Sequence, residues 1–248
     1  MTKDIKENIS AYISYFRRQV QSISDHCQTA TDGELHSRIL YVTLLDAIAS
    51  PVIPPKTINQ KKFISFVSKF CDWPDCNRIS LPHLSGLIDA KTDPELIPLV
   101  SFTIQNRTKW MRGDQILLLH DPEFSAVANI WPQKDNKLIE IDNVKLEMLQ
   151  HSYLLYTYRN YLVHEFRMPG RHVELWDIDE PYYGSLSEYK EDNSRNLAHS
   201  WELQYPAKFF RRLCDSGLSK LEIYLTENLI DPLRSIDWGN YWLKPLNK

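Results

Sequence analysis

The sequence predicts a mainly α-helical protein that carries one small β-hairpin. Apolar residues recur at helical spacing through most of the chain, whereas two β-prone segments separated by a polar turn lie within residues 181–205. The chain has 248 residues, of which 43% are hydrophobic and 25% charged, as in an ordinary globular protein. Only seven glycines are present and there is no internal repeat or flexible linker. We therefore expect a single domain over 1–248.

The first part of the chain, residues 1–135, predicts a series of helices. Residues 3–28, 34–49 and 57–71 each place apolar side chains three or four positions apart. Asp93-Pro94-Glu95 then combines an N-cap residue, a proline at the first helical position and an early acid. This start signal predicts a fourth helix that continues to Trp110.

The second part of the chain combines two helices with the hairpin. A long helix is expected over 142–167, with Asp142 or Asn143 as its N-cap. The β-hairpin over 181–205 follows it, and an amphipathic C-terminal helix over 206–231 closes the predicted fold. The result is a helical domain with a β insertion after its long helix.

The charge distribution limits the kinds of partner that the protein can have. The formal net charge is -3, so nucleic acid could be bound only by a local basic patch and not by the overall charge. The N-terminus carries charges of both signs, which argues against a secretory signal. The richest apolar run, 39–49, is too short to cross a bilayer and contains Asp46. We expect a cytoplasmic protein without a membrane partner.

The cysteines predict neither a disulfide framework nor a metal centre. Cys27, Cys71, Cys76 and Cys214 are expected to be reduced thiols. Cys71 and Cys76 could join His83 around zinc, but these three ligands fall short of the four that a structural zinc site needs. The prediction is that the protein holds no metal and no cofactor.

One segment of the 142–167 helix carries side chains suited to chemistry on a phosphodiester. Helical spacing places six residues on one apolar face that we expect to be buried in the core, namely Val144, Met148, Leu155, Tyr158, Leu162 and Phe166. Asn160 and His164 lie one turn apart on a second, semi-apolar face, and Arg159 lies beside that face. An arginine can clamp phosphate oxygens, an imidazole can move protons near neutral pH, and a carboxamide can orient either group. The three residues are therefore candidate catalytic residues for RNA cleavage without a metal.

These residues resemble the Arg, four to six residues, His motif of the HEPN superfamily (higher eukaryotes and prokaryotes nucleotide-binding), in which the position after the arginine is often Asn. The resemblance implies a HEPN-like helical bundle and a metal-independent endoribonuclease that works as a homodimer with a composite active site. It further implies that His164 acts as general acid and base on the ribose 2′-hydroxyl and the leaving oxygen. Arg159 would stabilise charge on the phosphate, and Asn160 would orient substrate or His164. The product would end in a 2′,3′-cyclic phosphate.

The bare motif is not specific, because 13 arginines and eight histidines produce about one such pair by chance. Arg78 with His83 and Arg167 with His172 have the same spacing, but a proline interrupts each of them. Only the Arg159 to His164 copy combines an intact predicted helix with the Asn.

Five further residues are candidates for contacting RNA. The rings of Tyr153 and Tyr156 could line the seam between two motif helices or stack on a base. Lys208, Arg211 and Arg212 open the C-terminal helix and could contact phosphates, although a solvated basic face is the more common meaning of such a cluster.

The resemblance implies a role in toxin activity or antiviral defence, with an antitoxin or a defence-system protein as a possible partner. Toxins of this superfamily that are paired with a nucleotidyltransferase carry a regulatory Tyr two residues after the His, where this chain has Phe166. Control by that route is therefore in doubt. The alternative is a non-catalytic helical HEPN-like module that uses the same face to bind a partner protein or a nucleotide.

Overall fold

A computed structural model describes most of the chain, namely residues 2–27, 29–53, 57–89, 91–108, 110–111, 113–170, 178–189 and 197–235. The described part is mainly helical with a small antiparallel sheet, as the sequence predicts. Its α-helices are α1 (Thr2–Cys27), α2 (Gly33–Ile48), α3 (Asn59–Phe70), α4 (Leu81–Ile88), α5 (Ile97–Arg107), α6 (Phe124–Ala128), α7 (His151–Asn160) and α8 (Ala207–Glu227).

The strands form two antiparallel sheets. The larger contains β1 (Gln115–Leu117), β4 (Tyr182–Tyr189) and β5 (Leu197–Gln204) in the order β1-β4-β5, and the smaller pairs β2 (Gln133–Lys134) with β3 (Lys137–Leu138). Because β4 and β5 are adjacent and antiparallel, the two strands of the predicted hairpin over 181–205 are confirmed, whereas its predicted turn lies outside the described residues. The third strand, β1, has only three residues, and the sequence analysis did not find it.

The core consists of two clusters of buried side chains. The larger lies among α1, α2, α3, α7 and α8, where α8 packs against the first three helices. Leu45, Phe66 and Leu218 in this cluster are fully buried. The smaller cluster lies among α4, α5 and the segments around Trp131 and Leu146. Among the described residues, no helix has both the length and the apolar character that crossing a bilayer requires.

The sequence prediction was most accurate for the long amphipathic helices. Observed α1, α2 and α3 lie within two residues of the predicted bounds at each end, and α8 begins one residue after the expected Pro206. Asp93 accepts a hydrogen bond from the Glu95 amide, as the predicted cap requires, and a 3₁₀ turn there leads into α5. The prediction did not include α4, whose Ser80 N-cap accepts a hydrogen bond from the His83 amide.

The start of the 142–167 helix was predicted wrongly. Asp142 and Asn143 both have positive φ, 50° and 63°, and form a turn closed by Ile141 and Val144 instead of an N-cap. Asn and Asp tolerate this left-handed conformation, so residue types that suit an N-cap also suit such a turn. A 3₁₀ turn over Leu146–Leu149 follows, and α7 begins only at His151.

Candidate functional site

The three motif residues lie where α7 changes its winding. The helix is α-helical to Asn160, and its last turn, Tyr161–Glu165, is a π-helix in which the Phe166 amide donates to the Tyr161 carbonyl five residues back. Residues five apart on an α-helix point about 140° away from each other, and the wider turn reduces that angle. Such π turns occur frequently at functional sites. The local winding therefore brings His164 towards Arg159.

A left-handed residue ends the motif helix. Phe166 has φ 54° and ψ 34°. Its side chain is 59% exposed, although its helical spacing predicted that it would be buried with the apolar face of the helix. Leu155, Tyr158 and Leu162 of that face are buried, as predicted. The exposed Phe166 ring instead lies 5.9 Å from the ring of His36 on α2.

The side chains of Arg159, Asn160 and His164 converge on one point. The Arg159 Nη1 atom lies 3.1 Å from Asn160 Oδ1 and 3.2 Å from His164 Nε2. A guanidinium can only donate hydrogen bonds, so the imidazole Nε2 is the acceptor in this contact and a neutral His164 carries its proton on Nδ1. His164 is exposed and the other two are half-buried. The arrangement joins a cation, an amide and an imidazole, and the imidazole is open to solvent.

An aspartate from another helix completes this group. Asp46 Oδ2 on α2 accepts hydrogen bonds from Arg159 Nε at 2.9 Å and from Nη2 at 2.6 Å. Sequence reasoning noted Asp46 only as a charge that interrupts an apolar run. That interruption was the available signal, because a single acid among apolar helical residues needs a cationic or hydrogen-bonding partner.

The second face of the motif helix packs within the same chain. Tyr156 lies 5.7 Å from the Phe63 ring of α3, and the Arg159 guanidinium lies 5.9 Å from the Tyr156 ring centroid. Tyr156 and Val163 also contact the larger core cluster. Tyr153 is half-buried. Because α3 already covers much of this face, its apolar character alone does not require a second subunit.

The basic residues at the start of α8 are paired with acids of this chain. Lys208 Nζ lies 2.9 Å from Asp179 Oδ1, and both terminal nitrogens of Arg212 lie 2.5 Å from the carboxylate oxygens of Glu180. Arg211 donates to Ser24 Oγ at 2.7 Å and lies 3.7 Å from Asp215.

The position of these basic residues separates them from the motif. Lys208 and Arg211 line a cleft of about 590 Å³ together with Ser37. Ser37 and Asp46 are nine residues apart on α2, which places them about 13 Å apart along the helix and on opposite faces. The structure therefore does not bring Lys208 and Arg211 to Arg159.

A second polar cluster, which the sequence analysis did not find, lies at the other end of α7. His151 Nε2 lies 2.7 Å from Asp121 Oδ2, and both side chains are fully buried. The Tyr183 hydroxyl lies 2.7 Å from the same carboxylate oxygen and 2.7 Å from Ser80 Oγ, and Asp121 Oδ1 accepts from the Leu81 amide. We call Ser80, Asp121, His151 and Tyr183 the buried cluster. Their neighbours in the sequence belong to both core clusters, so the buried cluster lies where the two cores meet.

The residues weighed for zinc do not form a metal site. Burial raises the pKa of the Cys71 thiol above its ordinary value and also raises that of Cys76, whereas zinc binds the thiolate. Cys71 Sγ donates to the Leu213 carbonyl, and His83 Nδ1 lies 2.7 Å from Ser80 Oγ. In the part of the chain that the structure describes, no group of three or more His, Cys, Asp or Glu side chains could hold a metal ion.

Compared with protein-family models, with curated proteins and with solved structures, the chain has no significant match. The functional interpretation therefore depends on the motif residues and their geometry.

Proposed function

We propose that the protein is a metal-independent endoribonuclease with Arg159, Asn160 and His164 as its catalytic residues. The observation that carries this proposal is the meeting of the Asn160 amide oxygen and the His164 imidazole at a single guanidinium nitrogen, Arg159 Nη1. His164 is exposed at the end of α7, which leaves its imidazole accessible to a phosphodiester. The HEPN-like motif and the π turn that shapes it support the same assignment.

The proposed reaction uses the 2′-hydroxyl of RNA as its nucleophile. Substrate phosphate takes the place of His164 Nε2 on the guanidinium, and the released Nε2 accepts the proton of the 2′-hydroxyl. The 2′-oxygen forms a bond to phosphorus, the bond to the 5′-oxygen breaks, and an imidazolium protonates the leaving oxygen. Arg159 stabilises the negative charge that develops on the phosphate. The products are a 2′,3′-cyclic phosphate and a 5′-hydroxyl.

We propose further that two copies of the chain form one composite groove. Phe166, two residues after His164, is 59% exposed and contacts only the ring of His36 among the described aromatic rings. A second motif helix would bury this apolar side chain and supply the second imidazole. A toxin or antiviral-defence role, with an antitoxin or defence-system partner, rests on the family resemblance alone.

A non-catalytic module that binds a partner protein or a nucleotide is the second candidate. The observation that favours it is the ion pair between Arg159 and Asp46, because an arginine that is already paired with a carboxylate of its own chain needs no phosphate to balance its charge.

The two candidates differ in RNA cleavage in the presence of EDTA. The purified protein is incubated with tRNA and with mRNA, beside a His164→Ala variant and an exposed-histidine control, His26→Ala on α1. A ribonuclease cleaves RNA in EDTA, and His164→Ala lowers the rate by roughly 10²- to 10⁴-fold while the control does not. Absence of cleavage, or cleavage that survives in His164→Ala, supports the binding module instead.

A further inference from the structure

The carboxylate of Asp46 determines which edge of the Arg159 guanidinium faces Asn160 and His164. Of the five guanidinium N–H groups, two donate to Asp46 Oδ2, one lies within reach of Asn160 Oδ1 and one lies within reach of His164 Nε2. The second Nη2 hydrogen has no acceptor among the described residues. Asp46 therefore occupies the Nε edge of the group and turns Nη1 towards the other two motif residues.

The pair is also partly shielded from water. The Asp46 side chain is 25% exposed and that of Arg159 is 14% exposed, so the attraction between them is screened less than that of a fully exposed ion pair. Asp46 comes from α2 and Arg159 from α7. The Arg159 side chain is therefore held at both ends, by its own backbone in α7 and by the hydrogen bonds of its guanidinium to Asp46 in α2.

The charge of Asp46 matters for proton transfer. Without it, an uncompensated guanidinium would lie 3.2 Å from the His164 ring and would oppose an imidazolium by like-charge repulsion. The proposed reaction needs His164 to carry a positive charge in half of its cycle. A carboxylate on the far edge of the guanidinium offsets that repulsion without touching the imidazole.

We infer that Asp46 is a positioning residue of the ribonuclease site, an inference that rests on the proposed function. It aims Nη1 at the reacting phosphate and balances the charge of Arg159 so that His164 can be protonated. Asp46 makes no contact with the substrate in this account. Its removal affects the rate and the pH dependence of cleavage more than the binding of RNA.

The test compares Asp46→Asn and Asp46→Glu with Glu222→Gln. Glu222 on α8 forms an ion pair of 2.8 Å with Arg17 on α1, so its variant removes an inter-helix arginine–carboxylate contact away from the motif. We expect Asp46→Asn to lower kcat by roughly 10- to 100-fold with little change in KM and to move the acidic limb of the pH–kcat profile to lower pH. Asp46→Glu, which keeps the charge, should restore the position of that limb. Glu222→Gln should match the wild type.

The result that overturns the inference is an Asp46→Asn enzyme with the kcat and pH profile of the wild type. A fall in kcat that Glu222→Gln reproduces, or that tracks a smaller folded fraction by circular dichroism, overturns it equally.

A second readout separates this inference from the proposed function. The Nε–H of Arg159, assigned through an Arg159→Lys variant, should exchange slowly with water in the wild type and rapidly in Asp46→Asn when followed by ¹⁵N NMR. If the wild type cleaves no RNA while this signal behaves as expected, the proposed function fails and Asp46 is only a structural partner. If RNA is cleaved but the exchange is the same in both proteins, the ribonuclease stands and the positioning role is overturned.

Discussion

Two basic side chains of α7 are each paired with an aspartate from another part of the chain. The two pairs differ mainly in burial. His151 begins the helix and meets Asp121 with both side chains fully buried, whereas Arg159, eight residues later, meets Asp46 with both side chains partly exposed. In the buried cluster, Asp121 Oδ1 and Oδ2 are both taken by donors of the same chain. At the motif, one N–H of Arg159 has no acceptor among the described residues, and His164 is open to solvent.

Under the proposed function, this difference in burial gives the two pairs different roles on one helix. A buried acid–base pair is costly to break and cannot be reached by a substrate, so it fixes where α7 starts relative to β4 and α4. A partly exposed pair contributes little stability but can exchange partners with a phosphate. The following changes test the comparison in order of decreasing expected effect.

Breaking the buried pair should have the largest effect. Asp121→Ala leaves His151 and Tyr183 without their shared acceptor, and we expect a loss of about 3–5 kcal/mol in the free energy of unfolding. Denaturant unfolding followed by circular dichroism measures it. Asp46→Ala is the matched control, with a smaller expected loss of roughly 0–1 kcal/mol, because both side chains keep some contact with water and Arg159 can be solvated when its partner is removed. Equal losses in the two variants would contradict the comparison.

High pH should weaken the buried region next. Burial raises the pKa of Tyr183 and of Tyr205 well above the ordinary value, and the Asp121 charge raises that of Tyr183 further. Both phenols stay protonated in the fold but ionise near pH 10 on unfolding. Their stabilising effect is therefore complete below pH 10 and is lost as the pH rises above it, by roughly 1.4 kcal/mol per pH unit for each tyrosine.

Denaturant unfolding at pH 8, 9, 10 and 11 measures this loss. Tyr15→Phe, at a half-exposed position, should leave the slope unchanged. A free energy of unfolding that stays constant to pH 11 would show that these phenols are not buried as described.

Removing a single hydroxyl should have the smallest effect. Burial raises the pKa of Tyr158 to about 12, and its hydroxyl has no hydrogen-bond partner among the described residues. Because an unsatisfied buried hydroxyl is unfavourable, Tyr158→Phe should leave the free energy of unfolding unchanged or raise it by up to about 1 kcal/mol. A loss larger than that in thermal or denaturant unfolding would show that the hydroxyl is bonded.

The sequence was most informative where local pattern decides the structure. Periodicity predicted α1, α2, α3 and α8 because each buries one continuous apolar face, and it placed Leu155, Tyr158 and Leu162 on the buried side of α7. Periodicity did not predict the segments whose structure depends on unusual backbone conformations. The left-handed Asp142 and Asn143 and the π turn after Asn160 cannot be recognised from spacing.

Contacts between residues far apart in the chain also could not be predicted from the sequence. Asp46 and Arg159 are separated by 113 residues, and Asp121 and His151 by 30, so no local motif connects them. The sequence could indicate only that Asp46 is a charged residue within an apolar segment of a helix. The sequence predicted the three motif residues, but it did not predict that Asp46 and Asp121 pair with side chains of this helix.

The chemistry of the RNA ends tests the central proposal most directly. A defined RNA is incubated in EDTA with the wild type, and any fragments are examined by mass spectrometry beside a substrate with 2′-deoxyribose at the cleaved position. We predict 2′,3′-cyclic phosphate and 5′-hydroxyl ends that disappear with His164→Ala and with the deoxy substrate. Fragments with 5′-phosphate ends, or cleavage that tolerates either change, would contradict it.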